Sequence, residues 1–356
     1  MIKKNIYLIT GGCGFIGSAV IRHLLKKDNN IVINIDKLSY ASNINAVETK
    51  ESESYIFIKE DIINKDKINE LLKDYSPDYI IHLAAESHVD RSIDNPSSFI
   101  ESNILGTFTL LNECYSYWND LEKEAKDKFK FLFVSTDEVY GSINNESFTE
   151  LSPLQPNSPY AASKASADLL ARSWFKTYNF PIIVTNCSNN YGKWQYPEKL
   201  IPLVIKKCLQ VEEIPIYGNG KQQRDWIHVD DHVNGLLSVL KKGLVGERYN
   251  IATSKEITNL EVVKTICNIM NDIKPNSSMN YNDLISFVED RPGHDFRYSI
   301  QTNKIKKEIG WHPSTKFSDG LKETIIWYLD NQDWLFDPEK ISYGGDRLGQ
   351  LKKWEY

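Results

Sequence analysis

Two short stretches hold the residues best suited to chemistry. Phe131–Gly141 reads FLFVSTDEVYG, an apolar run that stops abruptly at Ser135, Thr136, Asp137 and Glu138. Such a run reads as a buried parallel strand that delivers polar side chains to the carboxyl edge of a sheet, where open α/β folds place their chemistry. The adjacent carboxylates could serve as an acid and a base. After a loop comes Tyr160-Ala161-Ala162-Ser163-Lys164, at the start of a helical run reaching Tyr178. Tyr160 and Lys164 are i and i+4, so they share a helix face, and an ammonium beside a phenol favours the phenolate and hence a base. Alone, a Tyr-x-x-x-Lys pair is ordinarily solvated and an Asp-Glu pair ordinarily lies on the surface. Their conjunction in one βα unit, above a glycine-rich loop, marks a candidate active site.

The elements that must position these groups can be followed from the amino terminus. Ile6 to Thr10 is a short strand, and Gly11-Gly12-Cys13-Gly14-Phe15-Ile16-Gly17 opens a helix to about Lys26. Gly11, Gly14 and Gly17 allow a tight turn, close approach of a pyrophosphate and close helix-on-strand packing, and the helix start offers free N–H groups. A second strand, Ile31 to Ile35, ends in Asp36, where a carboxylate can bond adenosine ribose hydroxyls and would repel a 2′-phosphate; NAD is therefore expected over NADP. Tyr55–Lys59, Tyr79–Leu83 and Ile182–Asn186 read as further strands, with a helix from Lys65 to Asp74. The polar cluster Glu86–Ser92 follows the fourth strand; within it His88 and Asp90 read as helix-capping and salt-bridged residues rather than as direct chemistry. A long helix is expected over about Ser97–Trp118, followed by a charged loop, LEKEAKDKFK. Two long helices on one side of the sheet suggest a homodimer. After Cys187-Ser188-Asn189-Asn190 the composition shifts, with Pro197 and Pro202 around a helix at Lys199–Gln210, and Ile214–Gly220 reads as a strand and turn. Lys199, Arg224 and Arg291 are candidates to hold a diphosphate. The aromatic tail with Trp327, Tyr328 and Trp334 is expected to pack a second lobe rather than bind sugar.

The 356 residues, with 41% hydrophobic and 25% charged content, allow one large α/β unit with an appended lobe. A net charge of -6 and a pI near 5.7 argue against nucleic acid or an anionic membrane as bulk partner. Five scattered cysteines with no CxxC pair indicate neither a disulfide framework nor a zinc site, and no metal is expected. The first apolar run is too short for a signal peptide and no later one could span a bilayer, so a cytoplasmic protein is expected.

Taken together, TGGCGFIGS, AAESHVDRSI, VSTDEVYG, YAASK, NCSNNYG, PEKLIP, PIYGNGKQQRDWIHVDDH and EDRPGHD resemble, in order and over nearly the whole chain, the extended short-chain dehydrogenases/reductases. Within these the chain is similar to the dTDP-glucose 4,6-dehydratase family. TGGxGFIG and YxxxK are common to the superfamily, whereas AAESHVDRSI and Thr136-Asp137-Glu138 are more specific.

The resemblance implies an α/β fold with an NAD-binding Rossmann-type doubly wound parallel sheet and a smaller C-terminal lobe. The NAD domain would comprise 1–187 with a return segment at about 223–253, and the nucleotide-sugar lobe 188–222 and 254–356. On the family pattern Tyr160 with Lys164 takes the C4 hydroxyl proton, Thr136 bonds the C4 oxygen, Glu138 removes the C5 proton and Asp137 protonates the departing C6 hydroxyl. Besides the three glycines, Phe15, Ile16, Asp36, Lys37, Leu38, Ser39, Asp61, Ile62, Leu83, Ala84, Ala85, Ser87, Ser102, Tyr160, Lys164 and Asn190 would contact NAD. Ser87, Thr136, Asn189, Lys199, Leu200, Pro215, Ile216, Tyr217, Arg224, Asn259, Asp290, Arg291 and His294 would line the nucleotide-sugar site. The chain departs from the pattern at Ser42, usually glycine, at Lys193-Trp194, usually Pro-Tyr, and at Phe296, commonly arginine. An epimerase or decarboxylase would not need Asp137 and Glu138 together, a non-enzymatic NAD-binding protein would not need Tyr160 and Lys164, and a simple alcohol dehydrogenase would release NADH.

Overall fold

The structure, a computed structural model, describes residues 4–290 and 294–336. Twelve strands are assigned: β1 Asn5–Thr10, β2 Asn30–Asp36, β3 Tyr55–Lys59, β4 Tyr79–His82, β5 Lys130–Thr136, β6 Ile182–Cys187, β7 Asn189–Tyr191, β8 Ile214–Tyr217, β9 Gln223–His228, β10 Arg248–Ile251, β11 Glu256–Thr258 and β12 Ile285–Val288. Seven form one wholly parallel sheet in the order β3-β2-β1-β4-β5-β6-β10. The chain runs outward from β1 to β3 and then resumes at β4 on the other side of β1. The order therefore reverses between β1 and β4, and a crevice opens at their carboxyl ends.

Both faces of this sheet are covered, which is why its strands read as continuous apolar runs. Successive residues point to opposite faces. Leu8, Ile80, Phe131 and Phe133 join a core with Leu71, Leu110 and Ala167, whereas Ile9, Ile81, Leu132 and Val134 join another with Ala19, Val233 and Leu236. The remaining strands form two small sheets, β11-β9-β7 and β12-β8. A third core, around helices Leu200–Gln210, Asn259–Ile273 and Phe317–Asp330, includes buried Tyr328 and Trp334. Both donate to the carbonyl of Gln195, at 2.6 and 3.3 Å, so the aromatic tail packs this lobe as expected.

Two expectations are corrected. The long helix over 97–118 is broken: Pro96–Phe99 is α-helical, Ile100–Leu105 is a π-turn, and the α-helix resumes at Gly106–Asp120. The Gly106 N–H reaches the carbonyl of Glu101, five residues back, and the altered winding buries both Ser102 and Asn103. The charged loop contains a short helix, Lys123–Lys128, with no buried residue and a 2.8 Å ion pair between Lys123 and Asp127. All five cysteines are buried and unbridged. Among the described residues no helix is long and apolar enough to cross a membrane, and no His, Cys, Asp and Glu cluster could hold a metal.

Candidate active site

A cavity of about 540 Å³ lies along the carboxyl edge of the main sheet and runs under the second lobe. At its amino-terminal end, Gly11 has φ +72°, and a Cβ there would lie 2.7 Å from the Ala84 backbone. A Cβ on Gly17 would lie 2.1 Å from the Gly11 carbonyl oxygen. Only glycine fits either position, and the loop delivers the start of helix Phe15–Leu24, whose N-cap, Gly14, makes no side-chain capping bond. Asp36, buried at the end of β2, accepts from Cys13 N at 2.9 Å, Leu38 N at 2.8 Å and Ser42 Oγ at 3.0 Å. The serine that replaces the usual glycine thus braces this carboxylate. Burial pushes the Asp36 carboxyl up, and these bonds oppose that shift. The glycine cradle, the open helix start and the acid at the end of β2 fit NAD, and the carboxylate disfavours a 2′-phosphate.

The next strand end is held by the π-turn. Asn103 Oδ1 accepts from Glu86 N at 2.8 Å while its Nδ2 donates to Glu86 O at 3.0 Å and to Ser163 Oγ at 2.8 Å. Ser163 Oγ in turn donates to the Tyr160 carbonyl at 2.7 Å. One amide therefore ties the loop after β4 to the helix Pro159–Tyr178 that carries Tyr160 and Lys164. His88 caps the helix Val89–Asp94 and lies 3.8 Å from Glu198, in keeping with its reading as a capping residue.

At the end of β5, Thr136 caps a single 3₁₀ turn, Asp137–Tyr140, accepting from Glu138 N at 3.3 Å. The turn brings both carboxylates to the cavity. Burial, reinforced by the neighbouring charges of Glu138 and Asp225, holds the Asp137 carboxyl well above the usual carboxylate range, which favours its protonated form. Tyr160 and Lys164 line the same cavity. Lys164 Nζ donates to the Val134 carbonyl at 2.9 Å and stands 4.7 Å from the Phe133 ring, and burial pulls its pKa down to about 8. Burial and the charge of Glu138 push the Tyr160 phenol above its ordinary value.

Among the described residues, all the cofactor, substrate and catalytic candidates from the sequence line this cavity except Leu38 and Asp290. Leu38 turns the chain at φ +57°, and its N–H holds Asp36. Asp290 accepts from Gln222 Nε2 at 2.8 Å and bonds His294 Nδ1 at 2.6 Å, so it orients a lining residue. Arg291 lies outside the described residues. Arg224 is buried, donating to the carbonyls of Gln223, Asp295 and Phe296, with its guanidinium 4.2 Å from the Tyr298 ring. Lys199 Nζ donates to Ser87 O at 3.1 Å. Lys193 and Trp194 both donate to Glu48, at 2.8 Å, tying the segment after β7 to the one after helix Ile44–Val47.

Sequence reading missed several lining residues, notably Glu198, Trp226 and Tyr298. Glu198 bonds Arg91 and Tyr40 at 2.9 Å, and its place beside Lys199 was the available signal. Tyr298, whose Oη donates to Asp295 Oδ2 at 2.6 Å, had no local signal at all.

Known proteins resemble this chain in sequence and fold. The family model described as GDP-mannose 4,6 dehydratase matches residues 8–324. A dTDP-glucose 4,6-dehydratase of Neisseria meningitidis serogroup B is 48% identical over 351 residues, spanning 97% of this chain and 99% of that protein. A dTDP-glucose 4,6-dehydratase from Bacillus anthracis, solved in complex with NAD, superposes with a TM-score of 0.82 at 42% identity, over 93% of this chain and 98% of its own. Another from Streptomyces venezuelae, also solved with NAD, gives 0.84 at 41% identity, over 92% and 98%. With a strand-end acid pair and Tyr160 lining one cavity, and with relatives this similar along nearly their full length, the chain belongs to the dTDP-glucose 4,6-dehydratase family.

Proposed function

We propose that this chain converts dTDP-glucose to dTDP-4-keto-6-deoxyglucose and water, with NAD as resident cofactor. The observation that carries this reading is the 3₁₀ turn after β5, which sets the buried Asp137 next to Glu138 in the cavity that Tyr160 also lines. Bound NAD⁺ would supply a hydride acceptor for C4 and, once reduced, a hydride donor for C6. Tyr160 takes the C4 hydroxyl proton, with Thr136 Oγ1 bonding the C4 oxygen. The resulting ketone acidifies the C5 hydrogen, which Glu138 removes as a proton. Asp137 gives its proton to the C6 hydroxyl, which departs as water, and Glu138 then returns its proton to C5 as C6 is reduced. The division of labour proposed for the chain is 1–187 with about 223–253 for the cofactor, and 188–222 with 254–356 for the nucleotide sugar. We assign the protein to the cytoplasm on its unpaired, buried cysteines. A homodimer is proposed from the exposed apolar side chains on two outer helices.

The test is to incubate the protein with NAD⁺ and dTDP-glucose or UDP-glucose, following sugar-nucleotide mass and NADH absorbance. Loss of one water without net NADH, faster with dTDP-glucose, is expected. Glu138→Gln and Asp137→Asn should each slow water loss by about 10²–10⁴-fold while slowing C4 oxidation less. An isobaric product would indicate an epimerase, and net NADH an ordinary dehydrogenase. Equal loss of oxidation and elimination in both folded variants would overturn the assigned roles.

A further inference from the structure

Arg248, on the sheet-edge strand β10, makes contacts that the proposed chemistry does not use. Its side chain is 14% exposed. Nη1 donates to Asp168 Oδ2 at 2.7 Å and to Asn186 Oδ1 at 2.8 Å, and Nη2 bonds Asp168 Oδ1. The two acceptors lead to opposite halves of the site. Asp168 is fully buried and lies one turn beyond Lys164 on helix Pro159–Tyr178, so the fork grips the helix that carries Tyr160 and Lys164. Asn186, near the end of β6, turns its Nδ2 the other way and donates to the Thr136 carbonyl at 2.9 Å. Thr136 is the residue from which the turn bearing Asp137 and Glu138 begins. The same strand steadies the far end of that turn, where Tyr140 Oη donates to Asn250 Oδ1 at 3.0 Å.

We propose that Arg248 is a positioning residue, whose guanidinium fixes the helix of Tyr160 and Lys164 relative to the Thr136–Asp137–Glu138 edge by bonding Asp168 and Asn186 at once. Proton transfers to one sugar ring from two separate elements demand that those elements keep their spacing to a fraction of an ångström. Nη1 meets both acceptors while Nη2 holds the second oxygen of Asp168; a lysine, one bond shorter and without a second nitrogen, would pair with Asp168 but fall short of all three contacts and loosen the bridge to Asn186. A buried ion pair that served stability alone would have no need of the second acceptor.

The inference rests on the dehydratase reading, which the wild-type protein tests by itself in the same assay. Arg248→Lys keeps a cation for Asp168 and hence the fold. Asn186→Ala removes the bridge from its other side. Each is expected to lower kcat about tenfold, measured well below its unfolding midpoint, with KM for dTDP-glucose and NAD retention within about twofold of wild type. The double variant should be no worse than the poorer single one, because both remove one bridge. An Arg248→Lys protein with full kcat, with a loss confined to KM, or with a loss confined to thermal stability would overturn the proposal, as would losses that multiply in the double variant. Should Arg248→Lys fail to fold, full kcat in Asn186→Ala overturns it and a tenfold loss there supports it. Wild-type protein that converts no substrate would overturn the dehydratase reading, and this inference with it.

Discussion

Asp137 is 2% exposed, its Oδ2 makes no hydrogen bond within the protein, and Glu138 stands next to it. Its carboxyl is therefore held well above the usual range, by burial first and by the Glu138 charge second. The folded state thus binds this proton more tightly than the unfolded chain does. Between the ordinary carboxylate pKa of about 4 and the raised value, folded Asp137 stays protonated while the unfolded side chain ionises, so its contribution to stability is lost as pH rises. Asp137→Asn cannot ionise and should unfold at a higher temperature than wild type at pH 8, with the advantage shrinking as pH falls and gone below the carboxylate range. Thermal unfolding across pH measures this, and a pH-independent advantage would refute burial of an ionisable carboxyl as the cause. The same substitution removes the proposed acid, a trade of activity for stability that active sites commonly show. The pair was legible in the sequence because its two members adjoin each other at the end of one apolar run. The surroundings of Lys164 were not, since it bonds Val134 O and stands against Phe133, on a strand distant in sequence.

The turn from β1 into helix Phe15–Leu24 shows how little freedom an element leaves to a single atom. A Cβ on Gly17 would meet the Gly11 carbonyl oxygen at 2.1 Å and the Gly12 Cα at 2.8 Å, all of it backbone that cannot rotate away. A Cβ on Gly14 would come no closer than 3.2 Å to that oxygen. Gly17→Ala should therefore lift the helix from the strand, costing about 1–3 kcal/mol of stability, and weaken NAD binding far more than Gly14→Ala does. Denaturant unfolding and an NAD titration of both variants check the ranking, and the reverse order would contradict the proposed cradle. The strands and this loop were readable because each is encoded within a few consecutive residues. The π-turn at Ile100–Leu105 was not, because Asn103 is clamped by Glu86, seventeen positions away. The helix Lys123–Lys128 escaped notice for another reason: with no buried face it carries no apolar period.

For the molecule as a whole, the outer layer over β4, β5 and β6 leaves an apolar surface that a single chain does not cover. Ile100 and Leu105 are each 51% exposed, Phe108 45% and Leu169 53%, on the segment 96–120 and the helix Pro159–Tyr178, which pack against each other. Phe108 touches Trp174 across them with ring centroids 5.9 Å apart, so the exposed positions sit on one continuous helical pair. Burying a leucine contributes about 1.5–3 kcal/mol, and in a symmetric pair each substitution acts twice. Leu105→Lys combined with Leu169→Asp would place charges where the proposed homodimer needs a dry seam, while both positions face away from the cavity. The expected result in analytical ultracentrifugation is a wild-type dimer at micromolar concentration and a folded, monomeric double variant. A wild-type monomer, or a double variant still dimeric, would refute this seam. Retained conversion in the monomer would show further that one chain completes the site, as expected of a cavity lined from the glycine loop to Tyr298 by a single chain.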